Sequence, residues 1–141
     1  MSAVFAVKIV EDVFASNGQF TTRRTTRGTD DSCDIILLEH SSGEQILVEC
    51  KKYASDRRVG VSVVRHMLGV MLLEKRRHAK IVTSSRFTEP AREAVIDASL
   101  EGYRIDLVDA SALAKELGVY NERLPPLDAI DLSSFSTTEP M

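Results

Sequence analysis

Two short apolar runs with charged side chains inside them constrain the fold of this chain more than any other feature. The first stretch covers residues 28–38 and includes Asp34, and the second covers residues 46–51 and includes Glu49 and Lys51. Apolar runs of this length, bounded by turn residues, predict β-strands. The segment between them contains Gly43, which can adopt positive φ in a tight turn. The sequence therefore predicts a β-hairpin that carries acidic side chains on both strands.

The register of this hairpin decides whether its charged side chains lie on one face. A two-residue turn at Ser42 and Gly43 would place Asp34 opposite Lys51. The same turn would place residue 36 opposite Glu49, so that Asp34 and Glu49 are diagonal neighbours roughly 7–8 Å apart. Opposed residues share a face, so Asp34, Glu49 and Lys51 would all point the same way. A three-residue turn would separate the acids, and we therefore predict the even turn or a bulge that restores it.

Charged side chains on a strand are costly to bury unless they are paired or bind a metal. A solvent-facing strand with cross-strand ion pairs is the ordinary explanation of a Glu-x-Lys sequence. The acid at matching register on the preceding strand favours another explanation, in which two carboxylates hold a divalent cation and a water beside a phosphate. Lys51 would then orient or deprotonate that water, or offset developing negative charge. On the residues alone both explanations remain open.

Composition and charge limit the class of protein. The chain has 141 residues, 43% hydrophobic and 28% charged, which fits one soluble domain with a core. No apolar run reaches the roughly 18 residues of a membrane span, and no signal peptide is visible. Cys33 and Cys50 lie in apolar strand contexts without zinc-site spacing, which predicts reduced core cysteines of a cytoplasmic protein.

Positive charge is concentrated in the first part of the chain. Residues 1–80 carry 13 Lys and Arg against 10 Asp and Glu, whereas residues 81–141 carry 5 against 11. Basic residues therefore surround the acidic hairpin in sequence, a pattern that suits a phosphate backbone brought to a metal. An ordinary solvated surface is the alternative for any one cluster.

Hydrophobic periodicity and turn signals predict the other elements. They are a helix over residues 3–16, an edge strand over 19–26, a helix over 61–77 with His66 and His78 at surface positions, a strand over 80–84, a helix capped by Thr88 that ends near Leu100, a strand over 104–108, and a short helix capped by Asp109 or Ser111 and closed by Gly118. Alternating strands and helices predict parallel pairing. The expected fold class is α/β, with a central mixed sheet (αβββαβ) flanked by helices and an extra C-terminal β-α.

At this point the sequence resembles the PD-(D/E)xK nuclease superfamily, and within it the catalytic domain of Mrr-type restriction endonucleases. The strings that carry the resemblance are Asp30-x-x-x-Asp34-Ile35-Ile36, Val48-Glu49-Cys50-Lys51-Lys52-Tyr53, Val59-Gly60-Val61, and Val82-Thr83-Ser84-Ser85-Arg86-Phe87-Thr88 with Ala91 and Ala94. The likeness spans about residues 1–117. It implies a restriction-endonuclease-like nuclease domain over residues 1–118, followed by a C-terminal tail over 119–141.

The resemblance also implies a function and a site. It implies a DNA endonuclease of Mrr-like restriction or defence type that depends on Mg²⁺, with Mn²⁺ as a substitute. Asp34 and Glu49 would bind the metal, and Lys51 would be the general base or water-orienting lysine. Asp30 would support them. Apart from the resemblance, Glu11 on the first predicted helix could reach the metal as a supporting residue, although a solvent-facing position is the ordinary expectation for it. The candidate DNA-binding residues are Arg24, Arg27, Lys52, Arg57, Arg58 and Arg65.

Two departures from the family pattern bear on target recognition. Ser32 stands where the family usually has Gly, and we expect no winged-helix DNA-reading domain before the nuclease core. A homodimer or a partner DNA-recognition subunit is therefore expected, and no membrane association. Two alternative functions remain: a Holliday-junction-resolvase-like nuclease, and a non-cleaving DNA-binding or assembly subunit on the same fold. Intact Asp34, Glu49 and Lys51 favour the endonuclease.

Overall fold

A computed structural model of the chain describes residues 3–15, 18–24, 35–51 and 56–120. The elements in these ranges follow the predicted order. They are α1 (Ala3–Ala15), β1 (Phe20–Arg24), β2 (Ile35–Glu39), β3 (Gln45–Lys51), α2 (Val61–Glu74), β4 (His78–Thr83), α3 (Glu89–Leu100), β5 (Arg104–Val108) and α4 (Ala110–Tyr120). None of these helices is long and apolar enough to cross a bilayer.

The strands form one mixed sheet in the order β1-β2-β3-β4-β5. The first three strands are antiparallel neighbours, and β3, β4 and β5 are parallel. The parallel part arises because α2 connects β3 to β4 and α3 connects β4 to β5, so that each new strand starts at the same end of the sheet as the one before it. The prediction of a mixed α/β sheet with β1 at its edge is confirmed.

The predicted two-residue hairpin turn is wrong. Residues 40–43 form a longer loop between Glu39 and Glu44, closed by a 2.9 Å bond from the Glu39 N–H to the Glu44 carbonyl. The Ser42 hydroxyl fastens this loop by donating to Glu39 and accepting from the Glu44 N–H. Gly43 completes the loop at φ +73°.

The longer loop shifts the hairpin register by two residues. Ile35 pairs with Val48 and Ile36 with Leu47, so Ile36 does not lie opposite Glu49 as predicted. The loop still has an even number of residues, and a shift of two leaves every side chain on its predicted face. The prediction for Asp34 opposite Lys51 falls on a residue outside the described ranges.

Alternate residues of β3 enter two different cores. Ile46 and Val48 pack with α1 and α4, in a cluster that includes Val10, Phe14 and Leu113. Leu47 packs on the other face with the buried residues of α2 and α3. Because side chains alternate along a strand, Glu49 and Lys51 lie on the face that α2 and α3 cover.

Local signals account for most helix ends. Thr88 caps α3 by accepting from the Ala91 N–H at 3.2 Å, and Asp109 caps α4 by accepting from the Ala112 N–H at 2.9 Å. α2 ends at Glu74, before the predicted residue 77, because Lys75 adopts the left-handed conformation at φ 58°. α4 continues to Tyr120, beyond the predicted end at Gly118.

Candidate active site

Glu49 and Lys51 form an ion pair at the carboxyl end of β3. Lys51 Nζ lies 3.0 Å from Glu49 Oε2. The lysine side chain is 34% exposed, whereas the glutamate side chain is only 8% exposed. The prediction that these two residues share one face of the sheet is therefore confirmed, and a nearly buried carboxylate has its cationic neighbour at the solvent boundary.

The second carboxylate oxygen of Glu49 is buried and has no hydrogen-bond partner among the described residues. Leaving a buried polar atom unsatisfied costs about 1–3 kcal/mol, and more when the group is charged. A divalent cation satisfies such an oxygen directly, because Mg²⁺ prefers hard oxygen ligands. The surroundings of Glu49 therefore fit a metal ligand better than a purely structural ion pair.

Asp34, the predicted second ligand, lies outside the described residues, as does the supporting Asp30. The described strand β2 begins at the next residue, Ile35, which pairs with Val48 beside Glu49. Among the described residues, no three His, Cys, Asp or Glu side chains converge on a possible metal position. Glu49 is thus the described part of the predicted metal site.

Buried hydroxyl groups adjoin the ion pair on the next strand. Lys51 pairs in register with Thr83, the last residue of β4. Thr83, Ser84 and Ser85 are all buried, and the Ser85 N–H donates to Thr83 Oγ1 at 3.1 Å. The sequence interpretation used this string only as a family marker. The sequence feature that could have pointed to a place for this string beside the site is a run of small polar residues directly after a buried apolar strand.

The predicted basic residues fall into two groups. Arg57, Arg58 and Arg65 are exposed, the first two in the segment before α2 and the third on α2. Arg24 belongs to the edge strand β1 and pairs with Ile35. Arg27 and Lys52 lie outside the described residues.

Glu11 lies half-buried on α1. Its neighbours Val10, Val13 and Phe14 pack into the core on the face opposite Leu47. The helix contacts β1, β3 and α4. A supporting role for Glu11 at the site stays a prediction.

A second charged cluster was missed by the sequence interpretation. His78, predicted on a helix surface, begins β4 and is buried, with its Nε2 2.8 Å from Asp106 Oδ2 and its Nδ1 3.3 Å from Glu44 Oε1. Lys80 Nζ also lies 3.0 Å from Asp106 Oδ2 and 5.6 Å from the centre of the Phe14 ring. The prediction for His78 is wrong because α2 stops before this residue.

Asp106 stays ionised because of these contacts. Burial alone would raise the pKa of its carboxyl group. Hydrogen bonds from His78 and Lys80, together with the charge of Lys80, outweigh burial and hold that pKa well below its usual range. The contact of Lys80 with Phe14 places the cluster on the α1 face, away from Glu49. The cluster is therefore a structural network separate from the candidate site.

Comparison with known proteins identifies related sequences and folds. A family model described as restriction endonuclease, that of the Mrr catalytic domain, matches residues 1–117. No curated protein matches the chain. The crystal structure of AF1548, a protein of unknown function, superimposes with a TM-score of 0.66 at 18% identity, over 86% of this chain and 71% of that protein.

Two structures of restriction endonucleases share the same fold. The DNA modification-dependent restriction endonuclease AspBHI gives a TM-score of 0.64 at 18% identity, over 84% of this chain and 32% of that protein. The MspJI restriction endonuclease, solved in complex with a 27-mer oligonucleotide, gives 0.57 at 20% identity, over 94% of this chain and 30% of that protein. The chain thus spans about a third of each of these two enzymes. The fold on which Glu49 and Lys51 stand is a restriction-endonuclease fold.

Proposed function

Because the chain belongs to the Mrr catalytic-domain family of restriction endonucleases, we propose that it is a Mg²⁺-dependent endonuclease that hydrolyses DNA phosphodiester bonds. Membership of the family makes it a nuclease of restriction type. The observation that carries the metal-dependent mechanism is the buried Glu49 oxygen, which has no partner in the described part of the chain and lies beside Lys51, whose Nζ is 3.0 Å from the other oxygen.

Glu49 and Asp34 would hold the ion in this proposal. Glu49 presents one oxygen to Lys51 and keeps the other for a ligand. Asp34 directly precedes Ile35, whose partner Val48 directly precedes Glu49. A continued antiparallel register would therefore bring the two carboxylates opposite each other. A bound Mg²⁺ supplies a Lewis acid for the phosphate and lowers the pKa of a bound water.

Lys51 acts on the attacking water in this proposal. Its side chain is about two-thirds buried, and its ammonium group is held at 3.0 Å from Glu49. A lysine fixed in this way orients the water by hydrogen bonding and offsets the negative charge that develops on the phosphate. Thr83 pairs with Lys51 across the sheet, so β4 supports the backbone from which the lysine projects.

DNA is the proposed substrate. One structural relative was solved with an oligonucleotide, and another is described as DNA modification-dependent. In this chain Arg57, Arg58 and Arg65 are exposed and able to neutralise phosphates. Cutting both strands requires two sites, so we propose a homodimer or a complex with a DNA-recognition subunit.

Incubation of the purified protein with supercoiled plasmid and with a branched junction, in Mg²⁺ and then in EDTA, tests the proposal. We expect plasmid cleavage in Mg²⁺ that EDTA stops and that Glu49→Gln abolishes. The matched control is Glu93→Gln, which removes an exposed carboxylate from α3 and should leave cleavage unchanged. Preferential junction cleavage would indicate the resolvase alternative. Binding without any cleavage would indicate the non-cleaving subunit and contradict the proposal.

A further inference from the structure

The segment that leads from β3 to α2 is fastened to the segment after β4. The buried Ser85 hydroxyl donates a hydrogen bond to the Arg57 carbonyl. The Val59 N–H donates to the Arg86 carbonyl at 2.8 Å, and the Thr88 N–H donates to the Val59 carbonyl at 3.0 Å. These hydrogen bonds fix the two segments relative to each other over only a few residues.

This attachment brings two arginines side by side. Val59 and Phe87 form a parallel bridge, and both side chains are buried. The residues immediately before them are Arg58 and Arg86, and both are exposed. Paired segments lie about 4.8 Å apart and alternate residues face opposite ways, so Arg58 and Arg86 are neighbours on the outward side.

The juxtaposed arginines lack a neutralising partner among the described residues. The ion pairs in this part of the chain involve other cations, such as Lys51 with Glu49 and Arg92 with Asp109. Neighbouring like charges repel, and the repulsion is relieved when an anion binds both. A phosphate diester is a suitable anion, because guanidinium groups bind its oxygens in a fork geometry.

The arginine pair is also tied to the end of the sheet that carries the candidate site. Thr83 pairs with Lys51, and Ser85 follows Thr83 by two residues. The Ser85 N–H bonds to Thr83 Oγ1 at 3.1 Å, and the Ser85 carbonyl accepts from the Ala110 N–H at 3.0 Å. The backbone of Ser85 is thus held on both sides while its hydroxyl holds the Arg57 backbone.

We propose that Arg58 and Arg86 form one binding site for the DNA phosphate backbone, and that the buried Ser85 is a positioning residue for this site. The inference rests on the proposed function in that DNA is taken as the substrate. Arg86 thereby joins the DNA contacts, although the basic clusters of the sequence did not include it. Ser85 acts through the Arg57 backbone and makes no contact with DNA itself.

Binding of a labelled short DNA duplex in EDTA, measured by fluorescence anisotropy over about 50–200 mM salt, tests the arginine pair. Arg86→Gln and Arg58→Gln should each weaken binding about tenfold and lower the slope of log K against log salt by about 1. The double variant should lose less than the product of the two single losses, because both side chains contact one site. Lys115→Gln, an exposed charge on α4, is the control and should bind like the wild type.

The role of Ser85 is tested by coupling. Ser85→Ala should weaken DNA binding in the wild-type background and should have no further effect once Arg58 and Arg86 are both Gln. Ser85→Thr keeps the hydroxyl and should restore binding. A merely structural hydroxyl would lower thermal stability equally in both backgrounds without this coupling. If Ser85→Ala does not fold, the two arginine variants still test the phosphate site, and Ser85→Thr still tests whether a hydroxyl at this position is sufficient for binding.

The outcomes separate this inference from the proposed function. Wild-type affinity of Arg86→Gln, or no binding of duplex by the wild-type protein, would overturn the arginine pair. Binding in EDTA does not depend on cleavage. If Arg86→Gln weakens binding but the wild-type protein never cuts DNA, the result would therefore support the arginine site and contradict the proposed nuclease function. If the wild-type protein cuts DNA and Arg86→Gln binds DNA with unchanged affinity, the result would support the nuclease function and contradict the arginine site.

Discussion

At the scale of single residues, two partly or fully buried carboxylates of this chain differ in how completely their oxygens are hydrogen-bonded. Asp106 accepts hydrogen bonds from His78, Lys80 and Arg104, so its charge is compensated within the protein. Glu49 is more deeply buried, yet only one of its oxygens has a partner in the described ranges. Folding alone favours the first arrangement. The second is expected where a ligand completes the shell.

Glu49→Gln should remove metal-linked stability while leaving metal-free stability nearly unchanged or slightly higher. The reason is that loss of the ion pair with Lys51, whose side chain is 34% exposed, is offset by removal of a buried charge with an unsatisfied oxygen. Mn²⁺ at about 100 times its Kd should stabilise the wild type by about 2.7 kcal/mol and the variant by much less. Thermal unfolding with and without Mn²⁺ measures this. Equal stabilisation of Glu49→Gln and wild type would exclude Glu49 as a ligand, and Glu93→Gln should respond as the wild type does.

Lys51→Met should separate catalysis from metal binding. The ammonium group is not a ligand, so Mn²⁺ should still raise the unfolding temperature of the variant. Cleavage should fall by about 10²–10⁴, the usual contribution of a positioned acid or base. The check is a single-turnover cleavage rate alongside the Mn²⁺ titration of stability. A variant that cuts DNA at the wild-type rate would remove Lys51 from the mechanism.

At the scale of elements, the hairpin shows how far local sequence reaches. Apolar runs sufficed to predict β2 and β3, and alternation sufficed to put Glu49 and Lys51 on one face. The turn length was not predictable in this way. It depends on side-chain bonds of Ser42 to Glu39 and Glu44, which compete with the shorter turn that Gly43 would also permit.

The second limit on prediction from the sequence is the position at which a helix ends. Apolar periodicity does not locate the end of α2, because it reports only which face is buried, and the residues that follow, Lys75, Arg76 and Arg77, include no helix-breaking glycine or proline. The end is fixed by Lys75 in the left-handed conformation and by the Arg76 N–H donating to the Met71 carbonyl at 2.9 Å. A lysine carries no signal for that conformation. His78 was therefore assigned to a helix surface when it belongs to a buried strand.

Replacing glycine by alanine should change the free energy of unfolding in opposite directions in the hairpin loop and in α2. Gly43 sits at φ +73°, and an added methyl group would meet only open space, so Gly43→Ala should cost about 1 kcal/mol through backbone strain alone. Gly69 lies inside α2 with equally open space, so Gly69→Ala should stabilise the protein by about 0.5–1 kcal/mol. Urea unfolding of both variants gives the comparison. Two changes of the same sign would contradict the conformational argument.

At the scale of the whole molecule, the two faces of the sheet carry different groups: a structural charge network on one and the candidate site on the other. One face buries the core of α1 and α4 and carries the Glu44, His78, Lys80 and Asp106 network. The other face, under α2 and α3, carries Glu49 and Lys51 at the carboxyl end of β3. The arginine pair is attached to the same end through Thr83 and Ser85. Changes in the network should therefore alter folding without altering the site.

The pH dependence of stability tests this separation. The pKa of Asp106 is lower in the folded chain than in the unfolded chain, where it is about 3.9. Its contribution is thus fully present above that unfolded value and is lost as the pH falls below it. The titratable groups around Asp106 are His78, Lys80, Arg104 and Glu44.

Asp106→Asn should cost about 3 kcal/mol near neutral pH, because it leaves His78 and Lys80 without their shared partner. The variant should also lose less additional stability than the wild type when the pH is lowered from about 5 to 3, since residue 106 can then no longer take up a proton on unfolding. Urea unfolding across this range measures both effects. Mn²⁺ affinity and DNA binding of the folded variant should match the wild type. A parallel loss of metal binding would show that the two faces of the sheet are coupled, and the network would then belong to the site.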